Sequence, residues 1–480
     1  METTDAFTSA FNHFAYLTLA AWVPVILAMF ALMKPHRAVI GAFVFGYLML
    51  PDLSIHVHTL PDVNKVSVTC IGVIIGSLLF DGMRLLMVRP RLIDLGAFAL
   101  CFSPIVTSVL NGNGIMDGFA ASAAVVTRWG LAYWIGRAYF TDWEATRDLA
   151  MGIVIGGLVY VPLCWWEIRM SPQLHGWIYG PTFQSFRRDY HLFGFRPNVF
   201  LQDGLTVTMF MGVCTLLAYW AWMTASPRKL FGMPMFFVFG LLFFTTVMCK
   251  ALGGLTLCTA GVAALTFSRW PRTKVLALVL IVIPFVYIFV RSNKDWSGEN
   301  LVQLAQKISE ERARSLDFRL TNENLLTEKA WQKPLFGWGG FNKAQVYDWE
   351  GNQKTIVDGL WIQILGEHGF VNLAGLLLMT LGSAFLLWRS IPTRYWSDPA
   401  CAAPVALCVV VALYMIDGLF NATFNPVASL VVGAVASMSF VAKSAFRGAA
   451  AKITGQRPTA AVVTAVSDKP YVYARPAGAR

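Results

Sequence analysis

Charge is scarce in this sequence. Of its 480 residues, 14% are Asp, Glu, Lys or Arg, against about 25% in a soluble globular domain. With 56% hydrophobic residues and a mean hydropathy of +0.56, too little polar surface remains to cover a water-soluble particle. That excludes a soluble enzyme of ordinary composition. Catalytic signatures are missing as well: there is no Walker loop, GxSxG elbow, HExxH helix or dinucleotide fingerprint. The cysteines (Cys70, Cys101, Cys164, Cys214, Cys249, Cys258, Cys401 and Cys408) lie in or beside apolar runs without CxxC or Cys/His spacing. Neither a disulfide framework nor a metal centre is therefore expected. His56 and His58 are two apart with no third ligand and read as surface histidines. Residues 1–12 carry no Lys or Arg, so no cleavable signal peptide is expected.

What is present is a succession of apolar runs, at 13–33, 38–54, 66–83, 93–110, 115–137, 147–166, 198–222, 231–249, 251–268, 274–292, 359–388, 401–419 and 424–442. Most approach the ~20 residues that cross a ~30 Å hydrocarbon core as helix. The expected fold is an all-α polytopic membrane protein with about 12–13 transmembrane helices, 12 if the short run at 251–268 is re-entrant. Alternate short loops carry Lys34 and Arg37; Arg84, Arg89 and Arg91; Arg137 and Arg147; Arg228 and Lys229; Arg269, Arg272 and Lys274; Arg389 and Arg394. The positive-inside rule puts these loops, and the basic tail 443–480, in the cytoplasm. Topology thus accounts for the net charge of +11, and nucleic acid is not an expected partner.

This division leaves helices in 1–165, 198–292 and 358–442, with two polar segments, 166–197 and 293–357, on the outer side. The second is too long for an idle connection. Residues 309–332 read as an amphipathic helix with Leu316, Leu320, Leu326 and Ala330 on one face. The outer mouth gathers charge: Arg187, Arg188 and Arg196 before the seventh run, Lys250 between the eighth and ninth, Arg319 and Glu323 one helical turn apart, and Asp358 at the start of the eleventh. Cations at a membrane–water boundary suit a phosphate or pyrophosphate, Arg as a planar fork and Lys as a point charge. Arg128 lies mid-run, where insertion costs about 2.5–3.5 kcal/mol, so it must face the bundle interior or a wet cavity. Asp417 sits near the outer end of its run and suits a structural or a catalytic role.

The stretches Pro334-Leu-Phe-Gly-Trp-Gly-Gly340 and Asp358-Gly-Leu-Trp-Ile-Gln-Ile-Leu-Gly-Glu-His-Gly369 carry a resemblance. Over residues 160–430 the chain resembles the O-antigen ligase and polymerase superfamily of bacterial membrane glycosyltransferases, in an exopolysaccharide-type branch marked by Glu167-Ile-Arg-Met-Ser-Pro172 and Asp417-Gly-Leu-Phe-Asn421. Arg319, Arg196 and Lys250 stand where the family has its outer-face cations. Asp358 and Gly359 replace the family's His-Asn pair, while His368 is ten residues along the same helix, about 15 Å away.

The resemblance implies a GT-C-like inner-membrane enzyme with its site facing the periplasm. Its donor would be a polyprenyl-pyrophosphate-linked oligosaccharide and its acceptor a glycan or glycolipid, with a polysaccharide chain-length regulator as a further partner and no cofactor or metal. It implies Asp358, Arg319 and Glu323 as catalytic residues, with Glu323 positioning Arg319 or competing for its role. Arg196, Lys250, Arg188, Lys343, Trp338 and Trp361 become substrate-binding, the tryptophans by stacking on sugars. With the family histidine absent, a polymerase is favoured over a ligase. The competing readings are a flippase or exporter of the same lipid-linked sugars and a non-catalytic scaffold.

Overall fold

The apolar runs become helices, and polar caps set where several begin. The computed structural model describes residues 11–56, 61–82, 84–180, 190–191, 194–293, 296, 298–307, 310–423 and 425–453. Helix accounts for 73% of the described residues, with almost no sheet. In chain order the helices are α1 (His13–Leu32), α2 (Pro35–Met49), α3 (Lys65–Phe80), α4 (Asp94–Leu110), α5 (Ile115–Val125), α6 (Leu131–Tyr139), α7 (Trp143–Met170), α8 (Leu174–Ile178), α9 (Gly204–Thr224), α10 (Met235–Met248), α11 (Leu252–Arg269), α12 (Val275–Ser292), α13 (Glu299–Gln306), α14 (Glu310–Ala330), α15 (Phe341–Ala344), α16 (Leu360–Leu377), α17 (Ser383–Ser390), α18 (Ala402–Asp417) and α19 (Pro426–Ile453). A π-helical turn, Val126–Gly130, joins α5 to α6, and another, Leu378–Gly382, joins α16 to α17.

Among the described residues, six helical stretches are long and apolar enough to cross a membrane by length and composition: His13–Leu32, Trp143–Met170, Gly204–Thr224, Val275–Ser292, Leu360–Ser390 and Pro426–Arg447. The protein is all-helical, polytopic and membrane-embedded. At the centre stands α9, most of whose side chains are buried. It packs against α7, α10, α11 and α18. Helices α6 and α19 cross so closely that a Cβ on Gly136 would lie 2.2 Å from the Leu430 carbonyl oxygen, the small-residue contact that membrane helices use in place of a hydrophobic driving force.

Two run boundaries need correction. The run beginning at 198 is not helical until Gly204, because the Asp203 carboxylate caps the Thr206 amide at 2.7 Å. The run ending at 54 stops as helix at Met49, just before Pro51. Asn64 caps α3 through a reciprocal pair with Ser67. The amphipathic helix expected at 309–332 runs over Glu310–Ala330. Its buried stripe is Ala313, Leu320, Glu323, Leu326 and Ala330, with Leu316 half-buried, and it lies against α16 and α12. The end of the bundle that carries this helix is called the loop end below.

Candidate functional site

The glycine-rich run 334–340 meets α16 where that helix breaks. Gly369 has φ 74° and ψ −172°, which interrupts the helix and frees backbone groups on both sides. The run takes them up: Trp338 and Gly339 amides donate to the Gly366 and Glu367 carbonyls at 2.9 and 2.8 Å, and the Phe370 amide donates to Pro334 at 2.8 Å. A Cβ at Gly337 would sit 2.6 Å from the His368 nitrogen, and one at Gly369 would sit 2.3 Å from the Leu335 oxygen. The turn between α4 and α5 holds the other side, Asn111 Nδ2 donating to Gly337 O at 2.9 Å and Asn113 Nδ2 to Gly339 O at 3.2 Å. The two stretches that carry the family resemblance are therefore one structural unit, locking the loop to a broken membrane helix.

One turn apart on α14, Arg319 and Glu323 have separate partners. Glu323 is buried; its Oε2 accepts from Arg291 Nε at 3.0 Å and from Tyr287 OH at 2.8 Å, and Trp361 Nε1 lies 3.4 Å from Oε1. Burial pushes the Glu323 carboxyl above the usual range, while Arg291 and its other partners act the opposite way. This network fastens α14 to α12 and α16. Arg319 is held over the mouth, its Nε 3.6 Å from Asp358 Oδ2, both side chains about one third exposed at 31% and 34%. Its Nη1 donates to Phe420 O at 3.2 Å. Glu323 and Arg319 thus share a helix but not partners, and Glu323 is enclosed at the junction of α14 with α12 and α16.

Across the mouth, the Glu167 carboxylate receives the amides of Leu174, Asn198 and Val199 at 3.1, 2.8 and 2.7 Å, folding the chain back before α9. Arg196 lies over the start of α9, where Gly204 leaves room for its methylenes. Lys250 occupies the tight turn between α10 and α11 at φ 60°. Its Nζ is enclosed against the Gly194 backbone and has no hydrogen-bond partner among the described residues. Burial lowers its pKa from the ordinary lysine value. Asp203 and Arg319 both lie close enough to act electrostatically on Asp417, whose Oδ1 accepts from Asn421 Nδ2 at 2.7 Å. Arg319, bonded to Phe420 O, lies just past the C-terminal end of α18 that carries Asp417, and Arg196 rests on the corner at Gly204.

Beside the mouth is a cavity of about 520 Å³ lined by Tyr47, Asp52, Asp62, Lys65, Arg128 and Gln202 among others. Lys65 pairs with Asp52 at 3.1 Å. Arg128, on the π turn, lines this space and interacts electrostatically with Glu367, so its place mid-run is a cavity wall. Tyr47 separates the cavity from a smaller chamber bordered by Asp417, Tyr414 and Asn425. Among the described residues, no three His, Cys, Asp or Glu groups gather to hold a metal ion.

The structure brings Arg319 and Asp358 into contact, while Lys250 lies beside Gly194 and Arg196 on Gly204 in a separate group of contacts. Lys343 is engaged elsewhere, its Nζ bonded to Asn113 Oδ1. Trp361 is 2% exposed and cannot stack on a sugar as it stands. The ammonium groups of Lys329 and Lys333 lie 3.9 and 4.4 Å from the Trp338 ring centre. Arg187, Arg188, His58 and residues 454–480 lie outside the described residues. Sequence reasoning missed Arg291, Asp203 and the Tyr47–Asp52–Lys65 wall. Only Asp203 carried a local signal, an acid just before a helical run. In comparisons with known proteins, no protein-family model and no curated sequence matches this chain.

Proposed function

We propose that the chain is an inner-membrane glycosyltransferase that moves a glycan from a polyprenyl-pyrophosphate donor to an acceptor hydroxyl, in surface-polysaccharide or exopolysaccharide synthesis. In this reading the shorter apolar helices complete 12–13 crossings in a GT-C-like arrangement, and the loop end faces the periplasm. The observation that carries it is the Lys250 ammonium, enclosed with no hydrogen-bond acceptor among the described residues, at the loop end that also carries Arg196 and Arg319. A buried cation without a partner is costly, and an arriving anion offsets the cost. A pyrophosphate linked to a lipid meets both conditions of the place, charge at the mouth and a chain in the bilayer.

The acceptor oxygen forms its bond to the anomeric carbon while the bond from that carbon to the pyrophosphate oxygen breaks. The electron pair leaves on the polyprenyl pyrophosphate, where Lys250, Arg196 and Arg319 stabilise the growing charge. The hydroxyl proton passes to Asp358, whose carboxylate lies 3.6 Å from Arg319 Nε at the mouth. The 520 Å³ cavity offers carboxylates, amides and Tyr47 for an acceptor sugar. Polymerase action is favoured over transfer to a lipid acceptor. In a deletion strain carrying wild-type, Asp358→Ala or Arg319→Ala protein, lipid-linked intermediates separated by size test this. Single repeat units accumulating on the carrier with both variants are expected. Polymer accumulating untransferred would indicate a ligase, and normal polymer would remove the catalytic reading in favour of transport or scaffolding.

A further inference from the structure

The end of the bundle opposite the loop holds a second charged cleft that the proposed reaction does not use. The turn after α3, the end of α6 and α19 enclose about 320 Å³ lined by Arg84, Arg89, Arg91 and Arg137. Two of these arginines are spent on the fold. Arg137 is buried, its Nε and Nη2 bonded to Asp94 at 2.9 and 3.0 Å and its Nη1 to Ser437 Oγ at 3.0 Å. Arg84 donates to Ala138 O at 3.1 Å and pairs with Asp81 at 3.4 Å.

The other two are available. Arg89 and Arg91 are exposed, and neither side chain has a carboxylate partner among the described residues. Asp81 and Asp94 are already committed, so the cleft keeps an excess of two positive charges. Arg91 is also held in place, its guanidinium 4.6 Å from the centre of the Phe440 ring. The same turn projects apolar side chains outward: Leu86, Met87 and Leu92 are 67%, 75% and 84% exposed. Arginines that only fixed topology would need no cleft and no aromatic rest. Two forks of donors over a walled cleft, beside a rim that water would not favour, match a phosphate carried on acyl chains.

We propose that this cleft binds the phosphate headgroup of an anionic phospholipid, with its acyl chains against Leu86, Met87 and Leu92. The lipid would bridge the α3–α4 turn to the α6–α19 crossing. The inference does not rest on the glycosyltransferase reading.

The test uses the purified full chain in neutral detergent, titrated with dioleoylphosphatidylglycerol and followed by native mass spectrometry and thermal melting. Dioleoylphosphatidylcholine and inorganic phosphate are parallel arms. At about fivefold per arginine near a membrane surface, Arg89→Ala/Arg91→Ala should weaken phosphatidylglycerol binding about 25-fold. Arg389→Ala/Arg394→Ala, which removes two exposed charges at the same end, should leave it within about twofold. Arg89→Gln/Arg91→Gln should repeat the loss if the alanine pair fails to fold. Equal losses with both charge pairs, or phosphatidylcholine bound as well as phosphatidylglycerol, would overturn the proposal. Stabilisation by inorganic phosphate alone to the same degree would reassign the cleft to free phosphate.

Discussion

Replacing Gly337 by alanine separates two costs that usually come together. At φ 65° an alanine is strained, and its Cβ would lie 2.6 Å from both the Glu367 carbonyl carbon and the His368 nitrogen, with backbone on both sides of the contact. Gly351 in the same loop offers the control: its φ is 84°, and a Cβ there meets nothing within 4 Å. Gly351→Ala should cost only the left-handed conformation, about 1–2 kcal/mol. Gly337→Ala should add the overpacking of two backbones that cannot swing aside, for roughly 2–5 kcal/mol in all. Thermal melts of both variants in one detergent, with limited proteolysis of residues 293–357, measure the difference. The expected order is wild type, Gly351→Ala, then Gly337→Ala, with early cleavage of the loop only in the last. Equal melting of the two variants would refute the claim that the glycine run locks the loop to the broken helix.

Glu323→Leu strands the buried Arg291 charge and should cost about 3–5 kcal/mol, whereas Arg319→Ala removes a pair one third exposed and should cost under about 1 kcal/mol; thermal melts of the two variants compare them. Lys250→Met should abolish activity yet raise the stability of the unliganded protein by about 1–3 kcal/mol, because an unsatisfied buried donor is removed. The wild type should recover part of that deficit as pH rises. Its folded-state pKa lies below the unfolded value of about 10.4, so between the two the unfolded chain binds more protons and stability increases with pH. Melting both proteins across that window checks the sign.

Much of the fold was legible because a bilayer leaves the backbone few options. Each of the thirteen apolar runs contains helix, and the periodicity of Leu316, Leu320, Leu326 and Ala330 located α14 to within two residues. Boundaries were misplaced where a capping carboxylate outweighed hydropathy, as at Asp203. The break at Gly369 was hidden because apolar periodicity runs straight through it, and the groups it frees are taken up by the run 334–340, well upstream in sequence, folding back onto the helix. Spacing marked Arg319 and Glu323 as sharing a helix face but could not reveal that Glu323 belongs to Arg291, since their pairing depends on how α14 lies across α12. Trp361 and Lys343 were chosen for residue type and position; the fold buries the first and bonds the exposed second to Asn113, neither of which spacing could show.

The most direct test of the central claim is release of polyprenyl pyrophosphate by the purified protein. A polyprenyl-pyrophosphate-linked oligosaccharide and an acceptor glycan are supplied in detergent with EDTA present. The account expects stoichiometric release of carrier and elongation of the acceptor by wild type, and neither product with Arg319→Ala or Asp358→Ala at unchanged melting temperature. No release by wild type, or release that both variants preserve, would contradict it.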